Sequence, residues 1–401
     1  MTPDPQRPAD PAGLPVRPEL VGQVPYGAPQ LDVAHRLNVN ENPYPPSAAM
    51  VADVVQAVAV ATAGLNRYPD RDASALRADL ARYVCTDVPD APPLTAANLW
   101  PANGSNEVMV QLLQAFGGPG RVALSFDPTY SMYPDYARDT FTGYATLPRR
   151  PDFGIDVPAA VAHLRAEAPD VLLLASPNNP TGTALALADI DALCAASSGI
   201  VVVDEAYAEF RRPGTPSAVE LLDRHPRLVV TRTMSKAFAL AGARLGYLVA
   251  SPQVVEAVQL VRLPYHLSSL TQAVARTALA HAAELLGTVA ALRAQRDALV
   301  SWLRAQPGLV AADSDANFVL FGRFADRDAV FARVLDHGVL IRATGPAGWL
   351  RVSAGTPAEM AAFRAALSAS YTQADLMDPR FAAPAGPADM RQWPHVIEEG
   401  T

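Results

Sequence analysis

Short apolar runs alternate with polar turns through the middle of the chain. Residues 121–126 (RVALSF), 171–175 (VLLLA), 200–203 (IVVV) and 228–231 (LVVT) are apolar over most of their length. Each empties into a polar stretch, respectively DPTY, SPNNPTG, DEAY and RTMSK. Such runs, bounded by turn residues, predict buried strands. Between them, 186–197 predicts a helix, and NGSNE (103–107) opens another that Gly117, Gly118 and Pro119 end near Phe116. Alternating strands and helices predict an α/β fold, and in a parallel sheet the strand carboxyl ends line up on one edge. The polar exits are therefore expected together on that edge, where a ligand would sit.

The flanks read differently. Residues 1–30 are Pro-rich and aperiodic, predicting an extended arm with Tyr26 as its aromatic. LNVNENP (37–43) predicts a short strand running into a Pro-bounded turn, followed by helices at 47–61 and 73–83 with the loop LNRYPD (65–70) between them. An Ala- and Leu-rich segment at 270–305 predicts helices leaving the sheet. Strands at 317–321, 339–342 and 349–353 with helices at 326–337 and 357–370 predict a compact α+β unit. The expected organisation is an arm (1–30), a small α+β domain (31–60 with 270–371), a large, mostly parallel α/β domain (61–269) and a tail (372–401) of unassigned role.

Composition narrows the possibilities. A chain of 401 residues with 50% hydrophobic content can bury a large core. A formal charge of -8 without a basic cluster argues against a nucleic-acid partner. Cys85 and Cys194 have no metal-ligand spacing and are too few for a disulfide framework, so no metal site is expected. No leader-like or membrane-spanning apolar run is present, and a cytoplasmic, membrane-free protein is expected. Lysine usage changes the picture most: of 32 basic residues counted as Lys or Arg, only Lys236 is a lysine. A primary amine condenses with an aldehyde, which a guanidinium cannot do.

The polar exits supply matching chemistry. Asp204 leaves a run of three valines, where a carboxylate is costly without a cationic partner. If the ligand is pyridoxal phosphate, the protonated ring nitrogen is that partner. Asn179 and Tyr207 can then hydrogen-bond the ring's phenolate oxygen, and Tyr130 can stack on its face. Gly104, Ser105 and Asn106 open a helix whose free amides favour an anion, while Ser235 and Arg244 flank the lysine and can hold phosphate oxygens. Each residue alone also reads as an ordinary cap or core residue. Their coincidence with the single lysine favours the chemical reading.

These residues resemble the fold-type I, pyridoxal-phosphate-dependent aminotransferases of class II, most closely the histidinol-phosphate aminotransferase family. SPNNPTG, VVVDEAYAEF and TRTMSKAFALAGARLGY carry the resemblance, with LNVNENP, NRYP, NGSNE and DPTY, over about residues 20 to 370. The resemblance implies that Lys236 joins the cofactor and that Asp204 partners its pyridine nitrogen. Asn179 and Tyr207 would bind the phenolate, Tyr130 would stack, and Ser105, Asn106, Thr233, Ser235 and Arg244 would surround the phosphate. Tyr68 would reach the neighbouring subunit's cofactor in an obligate homodimer. Tyr26, Asn40, Arg342 and Arg351 would face the small-molecule amino and oxo substrates. The implied reaction joins L-glutamate and imidazole acetol phosphate to 2-oxoglutarate and L-histidinol phosphate, in histidine biosynthesis. An aromatic amino acid aminotransferase and a phosphothreonine decarboxylase are the alternatives; a ligand-sensing regulator would need a basic DNA-binding domain that the short arm does not provide.

Overall fold

The computed structural model describes residues 14–25 and 27–377. Tyr26 and the part of the expected tail beyond Met377 lie outside the described residues. Residues 1–30 form one unit, whose described part holds a single 3-10 turn, Pro18–Leu20. The second unit, from Leu31 onwards, carries everything that follows.

Its main sheet has seven strands: β1 (Leu99–Ala102), β2 (Val122–Asp127), β3 (Gly143–Pro148), β4 (Val171–Ala175), β5 (Ile200–Asp204), β6 (Leu228–Thr233) and β7 (Gly246–Ala250). Their spatial order is β1-β7-β6-β5-β4-β2-β3, and β7 alone runs opposite to its neighbours. Both faces are covered. Leu172, Leu174, Val201, Val203 and Val230 enter one core, while Val171, Leu173, Ile200, Val202 and Val229 enter another. That two-sided burial is why the strand sequences are continuous apolar runs rather than alternating ones. The carboxyl ends of β2, β5 and β6 and the start of β7 consequently share one edge, which holds Asp127, Asp204, Thr233 and Gly246.

A second, antiparallel sheet has strands β8 (Val310–Ala311), β9 (Phe318–Gly322), β10 (Arg342–Ala343) and β11 (Trp349–Ser353) in the order β10-β11-β9-β8. Helices Ala282–Ala305, Arg327–Asp336 and Pro357–Ser370 pack on it through Leu299, Leu303, Val330, Val334, Met360 and Phe363. Among the described residues, no helix is long and apolar enough to cross a membrane.

The structure departs from the sequence expectations in three places. The strand expected at 37–43 is absent: only His35–Arg36 is extended, pairing with Val339–Leu340, and the chain then bends to Asn40 at φ 58°. The carbonyls of Asn38, Val39 and Asn40 bond side chains instead of a strand ladder. The strand expected at 339–342 is split at Ile341, because Val339–Leu340 pairs with His35–Arg36 while β10 joins the second sheet. The start of the expected tail is also anchored, with Leu376 bridging Phe324 and Asp375 bonding Arg333 at 2.7 Å.

Candidate active site

The edge of the main sheet brings Asp204 against two other elements. Tyr133, first residue of the helix Tyr133–Asp139, donates its hydroxyl to Asp204 Oδ2 at 3.1 Å. Thr231 Oγ1 on β6 and the Ala206 amide donate to Oδ1 at 3.2 and 3.3 Å. All three donors are neutral, and among the described residues no cation pairs with this buried carboxylate. Burial holds its proton affinity above the usual carboxylate range, against the hydrogen bonds, which lower it. The site therefore supplies a negative charge lacking its counter-charge, which suits a ligand with a cationic edge. The Tyr130 ring lies 5.6 Å from that of Tyr133, perpendicular to it.

Lys236 leaves β6 three residues after its end, and its Nζ donates to the Val39 carbonyl at 2.9 Å. The same bend is held on both sides of that contact. Arg351 Nη2 donates to the Asn38 carbonyl at 2.8 Å, and Asn317 Nδ2 to the Asn40 carbonyl at 3.0 Å. Asn40 is itself buried; its Nδ2 donates to the Tyr207 hydroxyl at 3.0 Å, and Ser353 Oγ donates to its Oδ1 at 3.0 Å. Arg351 also donates to Asn179 Oδ1 and lies 5.1 Å from the Phe318 ring centroid. This leaves the Asn179 amide NH2 as a donor for something else. Lys236, Asn179, Tyr207, Asn40 and Arg351 thus meet around one three-residue bend. Burial lowers the Lys236 amine from 10.5 to about 8, helped by Arg351 and Arg244 and opposed by Glu41.

An anion cradle adjoins the lysine. Gly104, at φ 86°, precedes the helix Ser105–Phe116, and among the described residues no side chain caps the helix's first amides. A Cβ at Gly104 would sit 2.9 Å from Arg244 Nη2, and one at Gly246 would collide with the Ser105 amide, so two glycines permit the close approach of three segments. Arg244 Nη1 also lies 3.5 Å from Ser235 Oγ, and the buried Thr233 accepts from the Ser235 amide at 3.2 Å. Half-buried Asn106 follows Ser105 at the helix start. The arrangement of free helix amides, hydroxyls and a guanidinium suits a phosphate.

Arg342 is half-buried on β10, directly opposite Arg351 in the antiparallel register. Tyr68 is 78% exposed, stacked on Tyr265 at 4.3 Å. Tyr26 is outside the described residues.

Sequence reasoning missed Tyr133, Thr231, Asn38, Asn317 and Ser353, whose signals are those of ordinary core or turn residues. It also missed a buried ion network behind the site. Fully buried Arg232, between Thr231 and Thr233, donates to Glu205 Oε2 at 2.9 and 3.1 Å and to Asp87 Oδ2 at 2.7 Å. Glu209 lies 4.0 Å from Arg232 and accepts from the Tyr83 hydroxyl at 3.1 Å. Burial pushes the Glu209 carboxyl from 4.5 up to about 7, with Asp87 adding to it and Arg232 opposing. A carboxyl raised on folding contributes stability that is complete below its unfolded value and is lost as pH rises through the folded one. The melting temperature is accordingly expected to fall between about pH 5 and pH 8, and Glu209→Gln, which keeps a neutral group there, to flatten that fall in a calorimetric pH series.

Residues 34–367 match the family Aminotransferase class I and II. The chain is 63% identical over 354 residues to the histidinol-phosphate aminotransferase of Thermobifida fusca, covering 88% of this chain and 95% of that one. It is 59% identical over 372 residues to that of Frankia casuarinae, covering 92% and 93%. Among solved structures, the histidinol-phosphate aminotransferase from Sinorhizobium meliloti in complex with pyridoxal-5'-phosphate superposes with a TM-score of 0.75 at 26% identity, over 84% of this chain and 91% of that one.

Proposed function

The chain belongs to the class I and II aminotransferases, and within them to the histidinol-phosphate aminotransferases, and from that premise we infer its reaction and the residues that perform it. It exchanges an amino group between L-glutamate and imidazole acetol phosphate, giving 2-oxoglutarate and L-histidinol phosphate, a step of histidine biosynthesis. The carrying observation is the single lysine, with a lowered proton affinity, leaving the same sheet edge that holds a buried carboxylate no described cation neutralises.

The cofactor is pyridoxal 5'-phosphate, which supplies an aldehyde to carry the amino group and a ring to accept the electron pair freed at the substrate α-carbon. Lys236 holds it through Nζ, and Asp204 keeps a proton on the ring nitrogen. Asn179 and Tyr207 donate to its phenolate oxygen, and Tyr130 covers the ring face. Gly104, Ser105, Asn106, Thr233, Ser235 and Arg244 enclose the phosphate. Lys236 Nζ would take the substrate's α-proton, and the burial that lowers its proton affinity favours the basic form a proton acceptor needs. Arg342 and Arg351 offer two forked donors to the substrate carboxylate and phosphate, with Asn40 beside them. We place the chain in the cytoplasm as a homodimer in which the exposed Tyr68 reaches the second copy's phosphate site. The large domain is taken as 61–269 and the small one as 31–60 with 270–371.

The test is a set of half-reactions. Cofactor-loaded protein is mixed separately with histidinol phosphate, glutamate, phenylalanine and phosphothreonine, and conversion of the cofactor to its amino form is followed by absorbance. Rapid conversion by the first two and not by phenylalanine is expected. Equal rates with phenylalanine would assign an aromatic aminotransferase, and carbon dioxide released from phosphothreonine a lyase.

A further inference from the structure

Asp204 is held asymmetrically. Oδ1 receives two donors, Thr231 Oγ1 and the Ala206 amide, both from the β5–β6 end of the sheet. Oδ2 receives one, the Tyr133 hydroxyl, which comes from a separate helix reached by the turn after β2. Tyr133 is completely buried, and it belongs to an apolar core, shared with Met109, Ala137 and Leu173, that would suit a phenylalanine equally well. The hydroxyl is what distinguishes it there. Burial keeps that hydroxyl protonated far above its usual range, so it remains a donor at every working pH. The other titratable groups bearing on the pair are Glu205, whose charge raises the proton affinity of Asp204, and Tyr144, Tyr136 and Arg149 around Tyr133. Tyr130, three residues earlier, packs its ring edge-on against that of Tyr133. One turn therefore carries both the ring proposed to cover the cofactor and the donor behind its carboxylate.

We propose that Tyr133 is a positioning residue for the transamination, fixing the direction and the charge of Asp204 through Oδ2, with Thr231 as its counterpart on Oδ1. This rests on the reading above, in which Asp204 keeps the cofactor's ring nitrogen protonated. A buried carboxylate stripped of a donor holds a proton more strongly. Without the Tyr133 hydroxyl, the proton between Asp204 and the ring nitrogen shifts toward the carboxylate. The ring then accepts electrons less well, while the substrate contacts of Arg342 and Arg351 are untouched.

The experiment uses cofactor-loaded Tyr133→Phe, Thr231→Val, Thr231→Ser and Asp204→Asn. Two quantities are read: the pH midpoint of the cofactor's visible absorbance change, and kcat and KM separately. For Tyr133→Phe the midpoint is expected to move up by roughly half a unit or more, since loss of ring-nitrogen charge makes the cofactor's linkage to Lys236 more basic. Its kcat should fall about tenfold with KM within about twofold. Thr231→Val should move both in the same direction and Thr231→Ser, which keeps the hydroxyl, should restore them. If Tyr133→Phe does not fold, the Val and Ser pair at Thr231 decides, since a packing role predicts no midpoint shift in either. An unchanged midpoint with kcat within about twofold in Tyr133→Phe, while Asp204→Asn does shift, overturns the proposal. An unchanged midpoint in Asp204→Asn overturns instead the assignment of Asp204 on which it rests.

Discussion

Lys236→Ala should lower the rate of amino-group transfer by about 10²–10⁴-fold, the range associated with removing a positioned general base. Lys236 is the chain's only lysine, so no neighbouring side-chain amine can replace it. The bend at 38–40 is fixed from both flanks by Arg351 and Asn317, so the Val39 carbonyl stays in place as an acceptor when the amine is gone. The loss should therefore be chemical rather than structural, with an unchanged melting profile in the absence of cofactor. The measurement is steady-state turnover of histidinol phosphate and 2-oxoglutarate, with added methylamine as a further arm. Partial recovery with methylamine, rising with pH as its basic form accumulates, identifies the missing function as proton transfer. Full turnover in the unsupplemented variant would remove Lys236 from the mechanism.

Asp204→Asn should cost about 10²–10³-fold in kcat, comparable with deleting one preorganised electrostatic contact from an active site. The substitution preserves shape and removes charge. The carboxylate sits at the end of β5, paired in register with Thr231, and its hydrogen bonds come from neutral donors. The Asn variant can keep one oxygen acceptor, so the fold should survive. Without cofactor the variant is expected to be more stable than the parent protein, because an uncompensated buried charge has been removed. Cofactor affinity by equilibrium dialysis should fall alongside kcat. A variant with parental kcat and parental affinity would show that no cation meets this carboxylate during turnover.

The sequence displays some parts of this site and hides others for physical reasons. Asp204 stands out because three valines precede it, and Lys236 because no other lysine competes for attention. Both signals are local. The hydroxyl of Tyr133 has no such signal: a tyrosine in a core segment is ordinary, and its partner lies 71 positions away. Arg232 likewise looks like one arginine among many, yet its partners Glu205 and Asp87 are 27 and 145 positions distant. The bend at 38–40 misleads in the opposite direction. Its alternation of apolar and polar residues suits a strand, but Asn40 adopts a positive φ and the carbonyls serve Arg351, Lys236 and Asn317. Strands buried on both faces, β4, β5 and β6, were legible from their apolar runs. The edge strand β3, whose residues GYATLP are mostly exposed or half-buried, carries no comparable run.

The most direct test of the account fixes the cofactor in place and finds where it is attached. The loaded protein is treated with borohydride, which makes a cofactor–amine linkage permanent, then digested and mapped by mass spectrometry. One pyridoxyl group per chain, on the peptide containing Lys236, is the predicted result. A pyridoxyl group elsewhere with Lys236 unmodified would contradict it.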